Sequence, residues 1–279
     1  MDLSQSILFD KESNKPPLHL YGANGFPVGV YQPLLNRLSN SYNIGALANR
    51  ALWQPRIELH KSRRWQIYAD DLIHYLEQQD VGPVIGVGHS LGGTTTVLAA
   101  IKRPDLFSRL ILIEPAMTAK PLALMLKALP KGIVSKINPA KGTLNKPDTF
   151  VSRQQFHTYI KKFNGYAKFS DEMFELFSQH SLVDSDDGNF ELAFPKEWEA
   201  HNYTQPPNIM SQLSKLTMPV VGLRGKPSMF FSAKMWSQWR KVGASDSQFL
   251  ESLAHGHLLP LEDPALCADL ILQGLAAKN

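Results

Sequence analysis

Several things are scarce in this chain, and each shortage excludes a class of protein. One cysteine, Cys267, stands among 279 residues. No disulfide can close within the chain and no cysteine-based metal site can be assembled. No run of 18 apolar residues occurs, so no membrane-spanning helix is expected. The opening MDLSQSILFDKESNK has no basic start followed by a long apolar stretch and does not read as a signal peptide. Charged residues make up 19% of the chain against 43% hydrophobic, too apolar a balance for disorder. The net charge is +4 and the pI about 9.0, but the basic residues are scattered. Their densest group, His60, Lys61, Arg63 and Arg64, reads as a solvated face and not as a nucleic-acid patch. No internal repeat and no low-complexity tract is present. The expectation is a cytoplasmic protein, monomer or homodimer, that handles a small molecule, with no nucleic-acid partner and no stable membrane insertion.

Short apolar runs alternate with helical spacings in the first 115 residues. Residues 7–9, 18–23, 44–47, 84–90 and 110–114 read as strands. Residues 30–38, 65–79 and 91–101 repeat their apolar positions at helical intervals. Continuous apolar strands separated by helices predict an α/β fold with a mostly parallel sheet covered on both faces. From about 116 to 215 the alternation stops, and Lys, Phe, Met and Pro dominate. This segment reads as a mainly helical insertion, a cap on a core domain formed by residues 1–115 and 216–279. Alternation resumes with a strand at 219–225, a helix near 232–242, a strand at 247–253 and a helix from Pro264.

The strongest chemical signal is GHSLGG at 88–93, a G-x-S-x-G motif between an apolar strand and a helix. A sharp strand-to-helix turn needs residues without side chains beside it, because main chains pack closely there. Such a turn lifts the Ser90 hydroxyl above the sheet edge and puts it at a helix N-terminus, which favours developing negative charge.

With this motif and its flanking elements, the chain resembles the α/β-hydrolase superfamily over nearly its whole length, the cap being the variable part. The resemblance implies an α/β-hydrolase fold and a nucleophile, acid, histidine order along the chain. LAHGHLLPLEDP at 253–264 is similar to the family's histidine loop, in which Gly-His is followed by an E-x-P-like turn. His257 is the expected base and His255 its competitor. His89 is read as a supporting residue of the turn.

A serine hydroxyl needs a base, and the base needs a third group to set its tautomer. The family usually supplies that acid after its seventh strand, here PVVGLRG at 219–225. The residues that follow, Lys226 to Phe231, contain no acid, and Ser228 or Met229 stands in its place. Instead, Glu114 ends the strand RLILIE after the nucleophile. A carboxylate at the end of a buried strand is costly unless paired. Adjacent strands lie about 4.8 Å apart, so Glu114 is expected at the same sheet edge as Ser90. Some branches of the family, haloalkane dehalogenases among them, are similar in carrying the acid there. Asp246 precedes its strand and Glu251 lies within one.

The oxyanion donors are expected to be the amide of Leu91 and one from YGANGFP at 21–27. Counting back from the helix makes Phe26 the donor; counting forward from the strand favours Ala23 or Asn24. Met117, Met229 and Phe230 are expected in an apolar substrate pocket. A serine nucleophile implies acyl transfer on an ester or thioester with an apolar acyl or aryl group, and no metal or organic cofactor is needed. Two alternatives stay open: the same triad used on C–C, lactone or amide bonds, and a non-catalytic fold that binds a small molecule or protein.

Overall fold

The apolar runs become strands of one parallel sheet in the computed structural model, which describes residues 1–276 except 60, 63, 229 and 245. In chain order the strands are β1 (Pro17–Tyr21), β2 (Asn43–Leu47), β3 (Val84–His89), β4 (Phe107–Ile113), β5 (Thr149–Phe150), β6 (Leu182–Asp184), β7 (Phe190–Leu192), β8 (Val220–Gly225) and β9 (Gln248–Ser252). Six of them form the central sheet in the order β2-β1-β3-β4-β8-β9, every neighbouring pair parallel. Leu110 to Ile113 are consecutive and all fully buried. Successive strand residues face opposite ways, so both faces of the sheet are covered, which is why these strands are apolar throughout and do not alternate.

The covering helices fall into packed pairs. Gln66–Gln79 lies against Leu91–Lys102, and Gln32–Leu38 against Pro264–Ala276. Helix Leu91–Lys102 is buried on nearly every side, which accounts for its unpatterned, largely apolar sequence.

The sheet order locates the functional edge. From β1 the chain steps to β2 on one side and then returns past β1 to β3 on the other. Ligands of open α/β sheets bind in the crevice that such a reversal leaves beyond the carboxyl ends of the strands. The residues at those ends are Gly22 after β1 and Ser90 after β3.

One expectation about the elements is corrected, and one is added to. Residues 7–9 are not a strand of the sheet: Ile7 makes an isolated antiparallel bridge to Ala46, and Ile7 and Leu8 are exposed. Three residues ending in an Asp-Lys-Glu turn are too short to extend a ladder along the β2 edge. The segment from 116 to 215 carries seven α-helices among its described residues, but also an antiparallel sheet in the order β5-β7-β6. Its hairpin closes through Ser185 N donating to Asn189 O at 2.9 Å, with Gly188 at φ 81°. Asp187-Gly188 occupies the turn, where the glycine accommodates the positive φ.

Candidate active site

Ser90 sits between β3 and the helix Leu91–Lys102 with φ 54° and ψ −116°. A side chain in that region costs on the order of 1–3 kcal/mol and persists only where its surroundings over-determine it. They do so here: Ser90 N donates to Ile113 O at 3.0 Å, and Ala116 N donates to Ser90 O at 2.9 Å. Both main-chain groups of the serine are thus tied to the end of β4. The flanking glycines are sterically required. A Cβ on Gly92 would stand 2.0 Å from Tyr21 O, and one on Gly88 2.6 Å from Gly92 O.

Glu114, the residue after β4, is fully buried and has φ 44°. Its amide donates to Leu223 O at 2.9 Å, holding it against β8. Its carboxylate accepts three hydrogen bonds. Gly225 N reaches Oε1 at 2.9 Å, while the Ser228 hydroxyl and His257 Nδ1, the latter at 2.8 Å, both reach Oε2. Burying a carboxylate costs several kcal/mol, and hydrogen bonds to a charged group return about 1.5–3 kcal/mol each. Ser228, standing where the family's acid was expected, therefore serves as a donor to the Glu114 carboxylate at the end of the neighbouring strand.

His257 lies on the loop after β9. Its Nε2 is 3.0 Å from Ser90 Oγ. The loop is held at Gly256, whose N donates to Glu262 Oε2 at 2.7 Å, which gives a physical reason for the glutamate of the G-H…E-x-P pattern. His255 turns away, with Nδ1 2.8 Å from Ser252 Oγ. Glu251 pairs with the buried Arg224 at 2.9 Å, and Asp246 is exposed. Ser90, His257 and Glu114 are therefore brought together, and the competitors are not.

His89 ties the loops of the site to one another. Its Nε2 lies 2.8 Å from the carbonyl oxygen of His257, so this nitrogen carries the proton and donates. Nδ1 then accepts from the Tyr31 hydroxyl at 2.8 Å, and that hydroxyl accepts from Ala23 N at 2.9 Å. Complete burial, reinforced by the neighbouring His257, pushes the pKa of His89 down to about 3. The imidazole stays neutral and the direction of this chain of bonds is settled.

The oxyanion candidates separate on the same grounds. The Ala23 amide is taken by Tyr31, and the Phe26 amide donates to Ala23 O at 3.3 Å. Gly25, at φ 85°, closes the turn in which the Phe26 N–H faces Ala23 O. The side chain of Asn24 is clamped. Its Nδ2 donates to Glu199 O at 3.0 Å and its Oδ1 accepts from Asn202 Nδ2 at 2.7 Å. The Tyr68 hydroxyl in turn donates to Asn202 Oδ1. Nothing in the sequence announced Asn202, which lies 178 positions from Asn24. Leu91 is fully buried as the first residue of its helix, where an amide has no intrahelical acceptor.

A cavity of about 460 Å³ lies between the loop Asn24–Phe26 and the segment after β4. Aromatic rings dominate its wall, among them Phe26, Phe150, Phe156, Tyr166 and Phe177, with the Lys146–Glu199 ion pair as its charged element. Of the expected pocket residues, Met117 and Phe230 do not line it. Met117 is packed into the hydrophobic core, because its strand-proximal position draws it under the segment. Phe230 is half exposed and lays its ring 4.7 Å from that of His257. Met229 lies outside the described residues. The cavity meets the site at Asn24 and does not include Ser90 or His257.

Comparison with known proteins agrees with the sheet topology. The sequence model of the Alpha/beta hydrolase family matches residues 45–270, and the chain belongs to that family. It is 24% identical over 230 residues to the abhydrolase domain-containing protein ACTT2 of Alternaria alternata, covering 68% of this chain and 81% of that one. It is 29% identical over 143 residues to the type I acyl-CoA thioesterase mpaH of Penicillium roqueforti, covering 47% of this chain and 32% of that one. Among solved structures, E-2-(acetamidomethylene)succinate hydrolase superposes with a TM-score of 0.80 at 19% identity, over 99% of this chain and 98% of that one.

Proposed function

We propose that this protein is a serine hydrolase that cleaves an ester or thioester bearing an apolar acyl or aryl group, by way of an acyl-enzyme. The observation that carries the reading is the hydrogen-bonded line from Ser90 Oγ through the His257 ring to Glu114, with both contacts at 3.0 Å or less. Ser90 is the nucleophile. His257 Nε2 takes its proton as the hydroxyl attacks the carbonyl, then delivers it to the leaving alcohol or thiol. Glu114 accepts from Nδ1, which keeps Nε2 unprotonated before attack and stabilises the imidazolium afterwards. A water deprotonated by His257 then releases the acid.

The tetrahedral oxygen is held by the Leu91 and Asn24 amides. Leu91 also brings the positive end of its helix to the developing charge. Residues 116–215 form a cap over the core of residues 1–115 and 216–279. The aromatic cavity beneath it takes the apolar acyl or aryl group, entered past Asn24. The likeness to an acyl-CoA thioesterase supports including thioesters among the substrates.

The test is labelling of the protein with a fluorophosphonate, the modified residue being located by mass spectrometry. Labelling at Ser90 that is lost in His257→Ala supports the reading, and a panel of p-nitrophenyl esters and acyl thioesters of increasing chain length then defines the acyl group. Folded protein that takes no label and turns over none of the panel would overturn it.

A further inference from the structure

Between Pro115 and Pro147 the chain carries six lysines and no aspartate, glutamate or arginine. The same run exposes an unusual number of large apolar side chains. Leu122, Leu124, Met125, Ile133 and Ile137 are each between 43% and 57% accessible. Scattered exposed apolar residues need no explanation, but a grouped set rimmed by one sign of charge does.

The helix Lys120–Ala128 shows how the two are arranged. Only Leu126 is buried. At about 100° per residue, Leu124, Ala128, Pro121, Met125 and Leu122 follow one another round the rest of the helix, while Lys120 and Lys127 share its edge. A helix solvated in the ordinary way turns charge outward and apolar residues inward; this one turns apolar residues outward. It is too short to cross a bilayer and suits lying in the plane of one.

We infer that this face docks reversibly on anionic lipid surfaces. The lysines argue for lipid over an acidic protein. Lys146 is taken up by Glu199, and the other five fall at 120, 127, 131, 136 and 141, spread along the run. A diffuse negative surface attracts such a spread at every position, whereas a protein partner needs carboxylates at matching points. The exposed leucines, methionine and isoleucines supply the apolar contact that holds the docked state. The same run contributes Asn138, Pro139, Thr143 and Lys146 to the wall of the aromatic cavity, so docking brings that wall to the lipid.

Flotation of the full-length protein with vesicles tests this. Pure phosphatidylcholine is compared with vesicles containing about a third phosphatidylglycerol, at low and high salt. The wild type should float with the anionic vesicles and be released by salt. Leu124→Ser with Met125→Ser should weaken binding at least about tenfold. Lys120→Gln with Lys136→Gln should weaken it about thirtyfold, from roughly 1 kcal/mol per lysine. None of these residues belongs to the active site, so turnover of a soluble ester should be unchanged and confirms that the variants fold. Equal binding to both vesicle types, variants that bind like the wild type, or no binding would each overturn the inference. So would a wild-type dimer that the Leu124→Ser/Met125→Ser pair converts to monomer, which would assign the face to a second copy. Because the readout is binding, an inert Ser90 would leave the result intact.

Discussion

Replacing Glu114 with glutamine isolates what the carboxylate does, because volume hardly changes while the hydrogen-bonding capacity does. Three donors converge on Glu114: Gly225 N on Oε1, and Ser228 Oγ and His257 Nδ1 on Oε2. A glutamine has one acceptor oxygen and one NH2, so one orientation faces that NH2 against Gly225 N–H. The Gly225 amide is fixed by β8 and cannot turn away, and leaving it unpaired in a buried site costs about 1–3 kcal/mol. In the other orientation the NH2 faces Ser228 and His257. Both can respond: the hydroxyl rotates to accept, and the imidazole moves its proton to Nε2. That second orientation is cheaper, and it leaves His257 in the tautomer that cannot accept the Ser90 proton. The corresponding change in a well-characterised serine protease triad lowers kcat about 10⁴-fold, equivalent to about 5.5 kcal/mol. The expectation is a loss of that size in kcat on the best p-nitrophenyl ester, with KM little changed and with the folded state retained in urea unfolding. A Glu114→Gln enzyme within tenfold of wild-type kcat would refute the assignment of the acid and the tautomer reasoning together.

His257→Ala should abolish measurable esterase turnover while His255→Ala keeps most of it, since His255 bonds to Ser252 and not to Ser90; the reverse ranking would reassign the base. Gly92→Ala places a methyl 2.0 Å from the Tyr21 carbonyl oxygen, where neither main chain can retreat. It should unfold the protein or cost more than about 4 kcal/mol, and a variant within about 1 kcal/mol of wild type in urea would contradict the packing described. His19 and His89 are fully buried and both have pKa values pushed down to about 3 by burial. They stay neutral in the fold, while the unfolded chain takes up protons below about pH 6.5. Their contribution is therefore complete above that pH and is lost as pH falls toward 3, by about 2 kcal/mol for each histidine at pH 5. Urea midpoints that stay flat from pH 8 to pH 5 would show that the two rings are not held neutral.

The alternation of apolar runs with helical spacings up to residue 115 was enough to read a parallel α/β sheet. Each inner strand is buried on both faces and so carries an unmistakable pattern. The G-x-S-x-G motif was legible for the same kind of reason: its glycines answer contacts made within a few residues of each other. The insertion was harder. Its strands are two or three residues long, below the length at which periodicity can show, and they went unread.

Glu114 was suspected because a carboxylate ending an apolar strand is anomalous and the expected acid was missing. That it meets His257 depends on β4 lying beside β8 and on a loop 143 positions away, which no local pattern encodes. The loop after β1, proposed to supply an oxyanion donor, shows the boundary most clearly. Its residues were readable as candidates, but which amide is left over depends on Tyr31, on His89 and on a turn at Gly25. The clamp of Asn24 by Asn202 and the main chain at Glu199, and the aromatic cavity beside it, are likewise products of chain segments far apart in sequence. Local sequence determined the elements, the nucleophile turn and the chemical types present, because those follow from near-neighbour sterics and burial. Tertiary structure alone decided which donors find which acceptors, because hydrogen bonding in a buried site depends on distances that only the assembled sheet sets.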